Sequence, residues 1–148
     1  MEIAVVGARA YALRRLGGVP AGTFSSCASV PGRRWDLLAL LPDARALLPR
    51  AARAGTLLLC GGAPPPRTVG ASQVVGYGLS PRDTLTCSSL RSRGRIVCLQ
   101  RSVLTLRGAL IEPQEFLLPE AWDALPPEEA LFLAGLSLLL GHGSFDFS

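Results

Sequence analysis

Three short apolar runs, each closed by a turn-former, constrain this chain more than any other feature. Ile3-Ala4-Val5-Val6 ends at Gly7, Trp35-Asp36-Leu37-Leu38-Ala39-Leu40-Leu41 ends at Pro42, and Thr56-Leu57-Leu58-Leu59-Cys60 ends at Gly61. A strand with both faces covered reads as a continuous apolar run, not as an alternation, which is the pattern of a parallel sheet under packed layers. Between the second and third runs, Ala44, Leu47, Leu48, Ala51 and Ala52 recur at helical spacing, with Arg45, Arg50 and Arg53 turned to water. Asp43 suits the N-cap and Gly55 the stop, so a helix is expected over 44–54. Strand, helix and strand in that order make a βαβ unit with a right-handed crossover. A second short helix is expected over Ala8–Leu16, halted by Gly17-Gly18, and Val19–Arg34 reads as irregular.

Beyond Gly61 the punctuation changes. Gly61 to Pro66 holds two glycines and three prolines and reads as a loop. Gln73–Tyr77 is a fourth strand candidate. Asp83–Leu90, Arg95–Leu106 and Ala109–Glu112 are extended runs separated by turns at Arg91–Gly94 and Arg107-Gly108, an antiparallel meander. A two-residue loop at Ser92-Arg93 would set Cys87 opposite Cys98 as two small core residues. The last element is a helix. Pro126-Pro127 and Glu128-Glu129 suit its amino end, and Ala130–Leu140 is apolar on every side, interrupted only by Gly135 and Ser137. Such a helix is either sandwiched in the core or half-covered by a partner.

The expected architecture is one α/β domain over 1–148. It comprises a small, mostly parallel, Rossmann-like sheet with flanking helices (1–62 the β-α-β core), a strand and antiparallel meander (73–117), and an apolar C-terminal helix (126–141). Composition agrees with a packed domain: 49% of residues are hydrophobic and 18% charged. An acid at Glu2 and a short first apolar run do not fit a signal peptide. The longest apolar stretch is about half of the ~20 residues that a membrane span needs. A cytoplasmic location and no membrane contact are therefore expected.

The chain has no lysine, 15 arginines and a single histidine, His142. Chemistry built on a phosphate-loop lysine, a Schiff base or a Ser-His or Cys-His pair deep in the fold is excluded or nearly so. The four cysteines show no C-x-x-C spacing, so neither a zinc site nor a redox motif is indicated. A net charge of +4 permits an acidic partner without demanding nucleic acid, and aromatics at 6% supply no stacking platform among the arginines.

The order of motifs resembles the central domain of Mur ligases and their folylpolyglutamate synthase relatives. Gly55-Thr56-Leu57-Leu58-Leu59-Cys60-Gly61-Gly62-Ala63-Pro64 is similar to the family's Gly-x-hydrophobic strand ending in Asn-Ala-Asp-Asp-Pro. Val74-Val75-Gly76-Tyr77-Gly78-Leu79-Ser80 resembles the next strand and its Tyr-Gly-Leu turn, and Ala130–Gly141 the family's apolar helix ending in Leu-Gly. The resemblance spans roughly Trp35 to Gly141. It implies an ancestral ATP-dependent, amide-forming scaffold, from which this chain departs. Cys60 stands for the family's Asn, and Gly62 and Ala63 stand for its acids. Gly7-Ala8-Arg9-Ala10 has one glycine and no lysine where a phosphate loop would be, and the His-Asn pair before the helix is missing.

Candidate sites follow from these readings. Gly7 and Arg9 are the candidate anion site, where open amides and a guanidinium converge at a helix start; the plain alternative is an ordinary strand-to-helix turn. Arg93 and Arg95 in the meander, with Leu133 and Leu138 on the apolar helix, are the candidate partner surface; the plain alternatives are a charged edge and core packing. Glu112, Glu115 and Glu120 read as solvated charge in a linker, and His142 as a helix-end residue. No catalytic residue, metal or cofactor is expected. A non-catalytic accessory or regulatory domain acting by contact, with itself or another protein, is the leading expectation. A nucleotide- or phosphometabolite-binding protein, or an enzyme subunit completed in trans, is the alternative.

Overall fold

A computed structural model describes residues 1–10, 21–44, 53–61, 70–90 and 95–141. Ten strands and one α-helix are found among them: β1 Ile3–Val6, β2 Gly22–Phe24, β3 Arg34–Leu40, β4 Arg53–Cys60, β5 Gly70–Tyr77, β6 Leu85–Leu90, β7 Arg95–Leu99, β8 Val103–Leu104, β9 Leu110–Ile111, β10 Gln114–Leu117 and α1 Pro127–Leu140. Eight strands form one sheet in the order β10-β7-β6-β5-β4-β3-β1-β2, and β8 and β9 form a separate hairpin. The pairs from β2 to β6 are parallel and the β6-β7-β10 edge is antiparallel. The α/β class and the mostly parallel sheet match the expectation. Flanking helices are few: α1 is the single α-helix among the described residues.

The three apolar runs become β1, β3 and β4, and their residues divide between two cores. Val5, Leu37, Ala39 and Leu58 face α1, whereas Ala4, Val6, Leu38, Leu40, Leu57 and Leu59 face the opposite side. That division explains why the runs lack alternation. The amides of Asp36 and Leu37 both donate to the Glu2 carbonyl, at 2.8 and 3.3 Å, as in a bulge. The ladders of β3, β4 and β5 pass over Asp36, Gly55 and Ser72 in line. Trp35, Ala54 and Ala71 consequently join Leu38 and Leu57 in one cluster, an odd spacing that strict alternation forbids.

Several boundaries differ from the expectation. Arg53, Ala54 and Gly55, read as the end and stop of a helix, open β4; pairing with Arg34 and Trp35 overrides local propensity there. Residues 45–52 lie outside the described residues, as do 11–16 of the first expected helix, its Gly17-Gly18 stop and the turn at 91–94. Gly22–Phe24, expected to be irregular, pairs with β1. Gln114–Leu117, read as linker, is β10 and pairs antiparallel with β7. The expected run Arg95–Leu106 breaks at 100–102, where Gln100 donates from its amide to the Thr84 carbonyl at 2.8 Å and the chain leaves the sheet for β8.

Cys87 and Cys98 do not face each other. The register begins as a two-residue turn requires, Leu90 with Arg95 and Ser89 with Ile96, then slips by one between Ser89 and Cys87. Cys87 therefore opposes Val97, Cys98 opposes Thr86, and the two thiols point to opposite faces. No disulfide joins any of the four cysteines.

The C-terminal helix is sandwiched. Every residue from Ala130 to Leu140 is buried. One side lies on the sheet, where a Cβ on Gly135 would meet Leu58 Cδ1 and Leu85 Cδ1, each at 3.0 Å. The same core takes in Val103 of β8, and Leu118 and Trp122 between β10 and α1. Each large side chain so buried contributes roughly 1.5–3 kcal/mol of transfer free energy. Pro127 and the two glutamates open the helix, and Gly141, at φ 81°, closes it with its amide on the carbonyls of Leu138 and Ser137. No helix among the described residues is long and apolar enough to cross a membrane.

Candidate functional site at the carboxyl ends of the strands

The strand order defines where a site belongs. β1 lies between β2 and β3, so the chain turns to one side after β1 and to the other at β3. Open parallel α/β sheets hold ligands in the crevice beyond the carboxyl ends of the strands at such a reversal. Gly7 follows β1 there and Leu41–Asp43 follows β3. The Leu41 amide donates to the Val6 carbonyl and the Gly7 amide to the Phe24 carbonyl, each at 2.9 Å, which draws the three strand ends together.

Gly7 and Arg9 do sit at this crossing, but the Gly7 amide is held by the Phe24 carbonyl, and the Ala8 amide and Arg9 are engaged by the chain's own acids. The Ala8 amide donates to Asp43 Oδ2 at 2.7 Å. Arg9 Nη1 donates to both carboxylate oxygens of Glu129, at 2.9 and 3.1 Å. Gly7 has φ 151°, a region close to glycine-only, and a Cβ there would lie 2.6 Å from Leu41 Cβ. Backbone closeness, not room for a ligand, is what this glycine supplies.

Next to the crossing, the ends of β4 and β5 meet the amino end of α1. Cys60 pairs with Tyr77 across the ladder. The Cys60 thiol donates to Glu128 Oε2 at 3.3 Å. The Tyr77 hydroxyl is buried and donates to the Leu40 carbonyl at 2.6 Å. Burial pushes its pKa well above the ordinary 10.0, and negative charge on Cys60, Glu128, Asp43 and Glu129 adds to the rise. It is thus a fixed donor and not a base. Asp83 is buried against the backbone of Gly61 and Gly78 and accepts from the Ser80 amide at 3.0 Å.

Among the described residues, Asp43, Glu128 and Glu129 lie near the Arg9 guanidinium. Among the described residues, no group of three or more His, Cys, Asp or Glu is arranged to hold a metal ion. His142 and Arg93 lie outside the described residues. Arg95 is half-buried, and its guanidinium donates to the carbonyls of Trp122 at 3.3 Å and Asp123 at 3.0 Å, tying the segment before α1 to β7. Leu133 and Leu138, at 9% and 4% exposure, belong to the core and not to the surface. Glu112, Glu115 and Glu120 are exposed as expected. Sequence reasoning found Gly7 and Arg9 and missed Asp43 as the partner of the Ala8 amide and Glu129 as the partner of Arg9. Those contacts bridge 35 and 120 positions, and no local pattern announces them.

Compared with known protein families, with curated proteins and with solved structures, the chain matches none.

Proposed function

We propose that this chain is a non-catalytic α/β domain that works through protein contact, a reduced relative of the Mur ligase central domain. One observation carries the reading. Among the described residues at the strand crossing, two donors that could grip a phosphate are spent on the chain's own carboxylates, the Ala8 amide on Asp43 and Arg9 on Glu129. A triphosphate entering there would have to displace two anions and approach Glu128 as well, which costs both hydrogen bonds and like-charge repulsion. The Mur kinship rests on motif order, and the pairing of β4 with β5 sets its two resembling strands side by side. Contact is supported by large apolar side chains left in water: Leu104 and Leu110, a cross-strand pair on the β8–β9 hairpin, and Leu117 on β10. The apolar helix is not part of that surface.

The test is a thermal-shift series with ATP, with UDP-sugars and with each plus Mg²⁺, alongside an assay for nucleotide turnover. The melting curve should not move and no phosphate should be released. A ligand that binds only the folded state at about 100 times its Kd would stabilise by about 2.7 kcal/mol, an easily seen rise in Tm. Such a rise, or turnover, would overturn the reading in favour of nucleotide binding.

A further inference from the structure

We infer that the β8–β9 hairpin is a lid, buckled by the side chain of Gln73, that closes one end of the apolar layer between α1 and the sheet and opens while the rest of the fold stays intact. The inference is independent of the contact reading above. The Cys60–Glu128 bond sets the amino end of α1 at the carboxyl ends of the strands, and Gly135 then lies on Leu58. The last turn of the helix therefore points toward the amino ends of β4 and β5, and the hairpin meets it there. The Leu106 amide donates to the Leu139 carbonyl at 2.8 Å, one of the last four carbonyls that a helix cannot pair internally. Val103 is buried in the core that contains α1, and Leu106 and Ile111 pack against that core.

The buckle is a side chain and not a ladder. Among the described residues, no strand of the eight-stranded sheet pairs with β8 or β9. Instead the Leu104 amide donates to Gln73 Oε1 at 2.9 Å, and Gln73 Nε2 donates to the Leu104 carbonyl at 3.0 Å, so the carboxamide imitates one rung of a strand. The other hydrogen of Nε2 goes to Thr56 Oγ1 at 3.2 Å, which fixes the amide in the orientation that the rung needs. Within the hairpin, the Thr105 amide donates to the Ala109 carbonyl at 2.8 Å, and the Ala109 amide to Thr105 Oγ1 at 3.0 Å. Its strands are two residues each, and Leu104 and Leu110 stay in water. Among the described residues, three hydrogen bonds tie the hairpin to the rest of the fold: the two on Gln73 and the one on Leu139. A piece with so few ties and so few buried side chains opens at a fraction of the cost of unfolding the whole. Once lifted, a hairpin this short does not hold its own bonds in water, so its internal amides exchange as well.

The experiment is amide hydrogen exchange of the full chain, read residue by residue by NMR. In the wild type the amides of Thr105, Leu106 and Ala109 should exchange at least about 100-fold faster than those of β3 and β4. Tyr77→Phe breaks a bond outside the lid, one that stays made while the lid is open. It should quicken exchange in β3 and β4 and leave the three lid amides unchanged. Gln73→Met keeps the length of the side chain and removes the rung. It should quicken the three lid amides by roughly tenfold or more, since each hydrogen bond shifts an equilibrium by roughly 2- to 10-fold. None of those three amides is bonded to Gln73, so the effect reaches them only through opening. Lid amides that exchange no faster than β3 and β4, or that quicken with them in Tyr77→Phe, would show that the hairpin opens only when everything unfolds, and would overturn the lid. Unchanged lid amides in Gln73→Met overturn the buckle, and with it the inference. If Gln73→Met does not fold, the wild type and Tyr77→Phe still decide.

Discussion

Replacing Gly7 by alanine tests the account of the strand crossing directly. The glycine stands at φ 151°, where an L side chain is strained by about 1–3 kcal/mol. Its new Cβ would also lie 2.6 Å from Leu41 Cβ, 2.7 Å from Leu41 Cδ1 and 2.9 Å from Asp43 Oδ1. A Cβ cannot swing away as a side-chain tip can, so the turn after β3 must move, at about 1–3 kcal/mol for overpacking of this kind. Together these give a loss of about 2–6 kcal/mol. For a chain of this size each kcal/mol lowers Tm by roughly 2–4 °C. Urea unfolding followed by the fluorescence of Trp35 and Trp122, both buried, gives the measurement. Gly70→Ala is the control: a Cβ there meets nothing within 4 Å, so stability should stay level or rise by up to about 1 kcal/mol. If Gly7→Ala unfolds within about 0.5 kcal/mol of the parent, the tight, closed turn described above is wrong.

Other expectations concern single contacts. Tyr77→Phe should cost about 1–3 kcal/mol in the same assay, because the Leu40 carbonyl loses its buried donor; a neutral result would show that this bond contributes little. Gly61→Ala drives a Cβ into the Asp83 carboxylate and should destabilise by about 1–3 kcal/mol, and Asp83→Ala should relieve most of that cost in the double variant. Purely additive losses would mean the two residues do not touch. Arg95→Ala should lower stability by about 1–2 kcal/mol, where a surface arginine would change it by less than about 0.5. Stability should also fall in alkali. The folded pKa values of Cys87 and Tyr77 are raised by burial, so the unfolded chain loses its protons first as pH climbs past the ordinary 9.0 and 10.0. A urea midpoint that is flat with pH above about 9, or a Tyr77→Phe variant with an undiminished alkaline slope, contradicts this.

What could be read from the sequence follows the range of the forces involved. β1, β3 and β4 announce themselves because burial on both faces leaves an apolar run, and α1 because proline, paired glutamates and a closing glycine mark its ends. The early start of β4 was hidden: Arg53-Ala54-Gly55 has no strand preference of its own and is extended because Arg34 and Trp35 pair with it. β10 was hidden by Pro113 and by its acid Glu115, which suits an edge as well as a linker. The Cys87–Cys98 register failed at a one-residue slip that no turn chemistry signals. At the crossing, Gly7 and Arg9 were legible as a turn with a cation. Their neutralisation by Asp43 and Glu129 depends on contacts across the whole fold.

The junction between the two halves of the sheet is a single residue pair, Tyr77 with Leu85. The helix spans that seam, with Gly135 pressed on Leu58 of the parallel half and Leu85 of the meander. It works as a splint, and it follows all ten described strands in the chain. A chain whose described strands have formed but whose α1 has not docked shows the apolar face of its sheet that α1 covers. Before the splint docks, that exposed apolar face is a surface through which incompletely folded copies can stick together.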